Sequence, residues 1–112
     1  MREIKIRAWD KEQTKMKKDF RFDEFNDVND YFADNDFVFM QYTGLKDKNG
    51  KEIYEGDILS WGNNVIAKVY YADDLAVFRC SVKGTDEFDL FVFNQEASII
   101  GNIYENKEVL GE

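Results

Sequence analysis

Histidine and proline are both absent from the 112 residues, and cysteine occurs once, at position 80. Without histidine the commonest general base is missing, and no serine, threonine or cysteine here sits in a recognised nucleophile context, Thr43, Ser60, Ser81, Thr85 and Ser98 included. A single thiol and no imidazole cannot supply the usual ligand set of a zinc site, so no metal and no cofactor is expected. One cysteine also forbids an intramolecular disulfide. Cys80 lies in the apolar run Ala76 to Val82 and reads as a small core residue. No uninterrupted apolar stretch approaches membrane-spanning length and no signal-like h-region is present, so a cytoplasmic protein without membrane contact is expected. Basic residues are scarce as well: 15 Lys and Arg face 23 Asp and Glu, for a net charge of −8. That balance opposes binding to a phosphate backbone unless the few cations gather on one face. Gly44 and Gly50 are not followed by Gly-Lys-Ser/Thr, so no phosphate-cradling loop occurs.

What is present is apolar and aromatic. Hydrophobic residues make up 44% of the chain and aromatics 16%, enough for one unstapled domain spanning residues 1–112. Ile4, Ile6 and Ala8 alternate with Lys5, Arg7 and Trp9, and Met16, Phe20 and Phe22 share a face of the next run, which predicts an N-terminal hairpin. Lys15, Lys17, Lys18 and Arg21 make that second run basic, read as a solvated strand face with an anion-binding patch as the alternative. Phe25, Val28 and Phe32 then fall at helical spacing with Asp27, Asp30 and Asp34 opposite, which predicts one helix from Asp23 to Asn35 with an acidic face. The absence of glycine between Asp27 and Asp36 excludes a calcium loop, leaving a solvated face or a negative strip for a basic partner. Phe37 to Tyr42 reads as a strand covered on both sides or lying in an oligomer contact. Further strands are predicted over Val65–Tyr71, Leu75–Val82, Phe88–Phe93 and Ser98–Tyr104, with a last helical turn within Asn106–Glu112. Short strands punctuated by Gly, Asn and Asp argue for a closed or nearly closed barrel.

Between Met40 and Trp61 two hydrophobic runs flank a turn-rich connector. Asn49-Gly50 predicts a tight hairpin turn with positive φ at both residues, and Glu55-Gly56-Asp57 a second reversal. Two readings follow for this stretch: a charged surface hairpin, or a loop presenting Lys46, Lys48, Lys51, Tyr54 and Asp57 to a ligand. The segment Gly44–Ile58, together with Arg2–Asp10 and Ile100–Asn106, resembles the YopX family of small phage and prophage proteins. The resemblance runs from end to end of the chain. It implies a mainly β fold with an SH3-like barrel, a phage or prophage origin, residence in the host cell and no established activity, and it carries over no catalytic residues.

The expectation is therefore an α+β, mainly β domain: a small antiparallel SH3-like barrel with an N-terminal hairpin and one helix. Plentiful carboxylates admit a paired-carboxylate hydrolase and equally describe an acidic surface, and a non-enzymatic protein is favoured. Trp9, Tyr42, Tyr54, Trp61, Tyr70, Tyr71, Phe91 and Phe93 include residues opposite the inferred core, of the kind that small barrels use for contacts. The candidate interaction surface is Asp27, Asp30, Asp34, Tyr42, Lys46, Lys48, Lys51, Tyr54, Asp57 and Trp61. Its expected partner is a second copy, or a host or phage protein. The alternative is a nucleic-acid-associated module with Lys15, Lys17, Lys18, Arg21, Lys46, Lys48 and Lys51 as one basic face.

Overall fold

A computed structural model describes residues 5–18, 37–62, 65–82 and 87–110. The predicted acidic helix, with Asp27, Asp30 and Asp34, lies outside them, as does Arg21. The chain forms two compact units, Met1–Tyr42 and Thr43–Glu112.

In the first unit, β1 (Ile6–Asp10) pairs antiparallel with β2 (Lys15–Lys17) in the register Ala8↔Lys17, confirming the N-terminal hairpin. The other edge of β1 pairs with the start of β3 (Phe37–Lys46), Ile6 opposite Gln41 and Asp10 opposite Phe37. The polar turn between β1 and β2 is organised by Asp10, whose Oδ1 accepts the N–H groups of Glu12 and Gln13 at 3.0 Å each. Lys17 closes on the same carboxylate at 3.5 Å and its Nζ sits 5.1 Å from the centre of the Phe37 ring. Residues Phe37, Val38 and Phe39 are half-buried while Met40 and Tyr42 are buried, so β3 is not covered evenly on both sides.

In the second unit, the end of β3 lies beside β4 (Glu52–Tyr54), and Thr43 Oγ1 donates to the Ile53 carbonyl at 2.7 Å. A five-stranded antiparallel sheet follows in the order β8-β7-β6-β5-β9. Its members are β5 (Asp57–Trp61), β6 (Val65–Ala72), β7 (Val77–Val82), β8 (Glu87–Asp89) and β9 (Ser98–Asn102). Alternation explains its inner face: Ala67 and Val69 of β6 and Phe78 and Cys80 of β7 point inward, where Ile53, Leu59, Leu90 and Ala97 complete the core. Cys80 is fully buried, as its setting in an apolar run suggested. The register between β5 and β9 shifts at Ile58/Leu59, which lets both of these residues be buried although they are consecutive.

The fold is thus mainly β with antiparallel sheets, and the five-stranded sheet curls into a half-barrel. Closure is less complete than the strand spacing predicted: among the described residues β8 and β9 remain edge strands. The second departure is local and lies at the end of β8. The run expected as one strand from Phe88 to Phe93 breaks after Asp89 into a single helical turn, α1 (Leu90–Phe93), followed by a 3-10 turn over Asn94–Glu96. Leu90 is held in the core, and four residues later Asn94 is held by its own amide, which donates to the Lys46 carbonyl at 2.7 Å. Between these two anchors the backbone coils into α1 rather than continuing β8. A further 3-10 turn, Lys107–Leu110, falls where the terminal helical turn was expected.

Candidate functional site

Two parts of the second unit compete for the role of site, and their hydrogen bonds separate them. The first is the stretch Gly44–Ile58. Its turn differs from the expected one: Gly50 has φ +79° but Asn49 does not enter the positive-φ region. The Gly50 N–H bonds the Asp47 carbonyl at 3.0 Å and the Asp47 N–H bonds the Lys51 carbonyl at 2.9 Å, a turn closed by one left-handed glycine. Asp47 dictates this geometry. It is buried, and its Oδ1 accepts the N–H groups of Asn49 (2.8 Å) and Lys51 (2.9 Å), while Oδ2 accepts that of Ile99 (3.0 Å). Burial pushes its pKa upward, but the three N–H groups and the Lys51 charge outweigh this and leave it below the ordinary 3.8.

The second reversal is built the same way. Asp57 is buried and accepts the Tyr54 N–H at 2.7 Å, across a corner where buried Gly56 adopts φ +85°. Gly56 also takes part in the sheet, donating to Val69 and accepting from Ile103 at 2.9 Å each. The segment Ile100–Asn106 follows suit: Asn102 Oδ1 accepts the N–H groups of Tyr104 and Glu105, and Asn106 Oδ1 that of Asn102. Polar side chains in both segments are consumed in holding backbone.

Of the residues proposed from sequence as a presented loop, Tyr54 and Asp57 are therefore buried and only Lys46, Lys48 and Lys51 are exposed. Tyr42 is buried too, in the first unit, with Lys5 Nζ 5.7 Å from its ring centre. Trp9 and Tyr54 are likewise buried among the aromatics singled out, whereas Tyr70 and Trp61 are half-buried and Tyr71, Phe91 and Phe93 are exposed. The seven cations considered as one basic face fall in separate units, and Lys17 is engaged by Asp10.

The second candidate is aromatic. Pinned at Leu90 and Asn94, α1 projects the residues between outward: Phe91 is 62% exposed, Val92 54% and Phe93 40%. Beside them lies a shallow cleft of about 260 Å³ lined by Trp61, Val65, Phe88, Phe93 and Glu96. Its floor is an aromatic ladder, Trp61 edge-on to Phe88 at 5.5 Å and Phe88 perpendicular to Phe93 at 5.2 Å. The Trp61 indole N–H donates to the Phe93 carbonyl at 3.1 Å, which fixes the half-buried indole where it lines the cleft. Behind the cleft β8 is tied down by Arg79, whose Nε lies 3.1 Å from Asp89 and whose Nη2 donates to the Glu87 carbonyl at 3.2 Å. Burial first, then a hydrogen bond to Glu87, raises the Tyr70 pKa.

Sequence reasoning reached Trp61, Phe91 and Phe93 but missed Val65, Phe88 and Glu96. An apolar run of four between Asp89 and Asn94 was the available signal. Read at a two-residue period it hides half of itself; read as one helical turn it exposes most of itself.

A family model described as YopX protein matches residues 10–111. The chain belongs to the YopX family. Its fold is similar to the crystal structure of protein EF1440 from Enterococcus faecalis, with a TM-score of 0.67 and 28% identity over 98% of this chain and 99% of that one. None of the curated proteins matches this YopX chain. The Gly44–Ile58 and Ile100–Asn106 segments that carried the resemblance are those whose polar groups hold the turns and the β9 edge. No helix among the described residues is long and apolar enough to cross a membrane.

Proposed function

We propose that this YopX protein is a non-enzymatic accessory protein, of phage or prophage origin and working in the host cytoplasm, that acts by contact with another protein. The observation that carries this reading is the outward projection of Phe91, Val92 and Phe93 beside the Trp61/Phe88 cleft. Aromatic residues clustered on an exposed face are what distinguishes protein interfaces from the rest of a surface. Covering these three side chains would contribute on the order of 3–5 kcal/mol, judged from ~1.5–3 kcal/mol for burying a whole apolar side chain.

The chemistry of the same region supports contact over catalysis. Four of the five residues lining the cleft are apolar, and its volume falls below the ~300–1,000 Å³ typical of small-ligand pockets. The chain's one thiol is buried, and burial alone pushes its pKa up to about 12.

Photo-crosslinking tests the reading. A benzophenone side chain at position 91 should trap a discrete protein in host cells, while the same probe at Lys11, in the exposed β1–β2 turn, should not. Identical patterns from the two positions would refute it.

A further inference from the structure

We infer that the cleft at Trp61, Phe88 and Phe93 receives a segment of a second, different protein that carries one bulky apolar side chain next to a lysine or arginine. The inference rests on the protein-contact reading above and names the partner's chemistry.

Space sets the first condition. A cleft of about 260 Å³ walled by Val65 and three aromatic rings takes one large side chain and part of a neighbour, rather than a whole secondary-structure element. The exposed Phe91 and Val92 beside it extend the apolar contact along the incoming backbone.

Charge sets the second. Glu96 is the one ionisable residue lining the cleft, is exposed, and makes no hydrogen bond or ion pair with any described residue. In β8, by contrast, Asp89 is already matched by Arg79. A cation arriving beside the apolar anchor would meet the Glu96 carboxylate and, across the cleft, the edge-fixed Trp61 ring, whose face attracts cations. The wider field points the same way, since residues 43–112 hold thirteen Asp and Glu against seven Lys and Arg.

The same charges disfavour the two other occupants. A second copy would bring two Glu96 carboxylates and two chains of net charge −8 together at one apolar contact. A single nucleic-acid strand could stack on the rings, but its phosphates would face Glu96 with no cation lining the cleft.

The test uses the full-length chain and fluorescein-labelled ten-residue peptides with a central Leu-Phe pair flanked by lysines, by glutamines or by glutamates, and a lysine-flanked peptide with Ala-Ala at its centre. The lysine-flanked Leu-Phe peptide should bind about tenfold more tightly than the glutamine-flanked one, and the Ala-Ala and glutamate-flanked peptides weakest of all. Glu96→Lys should reverse the charge preference and Phe91→Ser should weaken every Leu-Phe peptide. Both positions are exposed, so unchanged circular dichroism and melting temperature would show that the variants fold.

Equal affinity for lysine- and glutamine-flanked peptides, or no binding by any, overturns the inference and leaves the cross-linking result standing by itself. A dimer in sedimentation that Phe91→Ser dissolves assigns the face to a second copy and overturns it as well. So does a labelled oligothymidylate that competes with the peptide for wild type and is lost in Phe91→Ser.

Discussion

The Asp47 carboxylate accepts the backbone N–H of Ile99 at 3.0 Å, 52 residues further along the chain. Ile99 lies on β9, an edge of the half-barrel among the described residues, and edge N–H and C=O groups invite pairing with other chains. The hairpin covers them: beside the Asp47 bond, Lys48 N–H donates to the Ala97 carbonyl at 2.9 Å. Asn106 Oδ1 accepts Asn102 N–H at the far end of the strand. Asp47→Asn should therefore be costly. An amide offers one acceptor oxygen where the carboxylate offers two, so at least one of three charge-assisted bonds is lost, about 2–3 kcal/mol at neutral pH. Urea unfolding measures this directly, and a change under about 0.5 kcal/mol would show that the carboxylate does not hold the edge.

The same residue gives stability an acid dependence of defined sign. The folded pKa of Asp47 lies below its ordinary 3.8, so its contribution is fully present above that value and is lost as pH falls through the folded pKa. Asp10 acts in the same direction, its pKa lowered chiefly by the Gln13 N–H against opposing burial, with Glu12 N–H and Lys17 assisting. The stability gap between wild type and Asp47→Asn should stay constant from pH 7 to about 5 and narrow below about pH 4. Urea midpoints across that range check it, and a gap that widens with acid would contradict the assignment.

Gly101 marks another contact that one methyl group would break. A Cβ there would stand 2.5 Å from Asn106 Oδ1, 2.6 Å from its Cγ and 2.9 Å from its Cβ. The Asn106 side chain would have to move and release Asn102 N–H. Gly101→Ala should cost about 1–3 kcal/mol through overpacking and the lost bond. With Asn106→Ala already in place the two shortest contacts are gone and only the 2.9 Å approach to the residue's Cβ remains, so the double variant should be less destabilised than the sum of the two single ones. Additive losses in thermal or urea unfolding would place the cost elsewhere.

Ala76 closes the turn between β6 and β7 with φ +54°, a region that costs an L-residue about 1–2 kcal/mol. It is exposed, so no packing is lost on removing its methyl group. Ala76→Gly relieves that strain and returns part of it as greater freedom of the unfolded chain, for a net gain of about 0.5–1 kcal/mol. A rise in melting temperature is the expected readout, and a fall would mean that the turn is not held left-handed in solution.

The sequence announced what depends on neighbours in the chain. Alternation located β1, β6 and β7 within a few residues, and Gly50 and Gly56 marked the two reversals. What it hid depends on residues far apart. Leu90–Phe93 has the composition of a strand, yet it forms a helical turn that exposes Phe91, with Asn94 just beyond it bonded to the distant Lys46 carbonyl. Asn49 looked ready for positive φ, yet the Asp47 carboxylate captures its N–H first. The cleft draws Trp61 and Val65, Phe88, and Phe93 with Glu96 from three segments, so no local pattern could assemble it. Tyr54 and Asp57 were legible as important, but as parts of the frame.

Cys80 tests the packing of the frame itself. It is fully buried among Ala67, Val69, Phe78 and Leu90, and loss of hydration pushes its pKa up to about 12. At pH 8 the folded chain should then hold almost no thiolate, and iodoacetamide should modify it only through unfolding. Labelling followed by mass spectrometry should show a rate that climbs with urea in step with the loss of structure seen by circular dichroism. Fast modification in native buffer would mean that β6 and β7 separate readily, and the half-barrel would then be too loose to hold Trp61 and Phe88 as a preformed cleft.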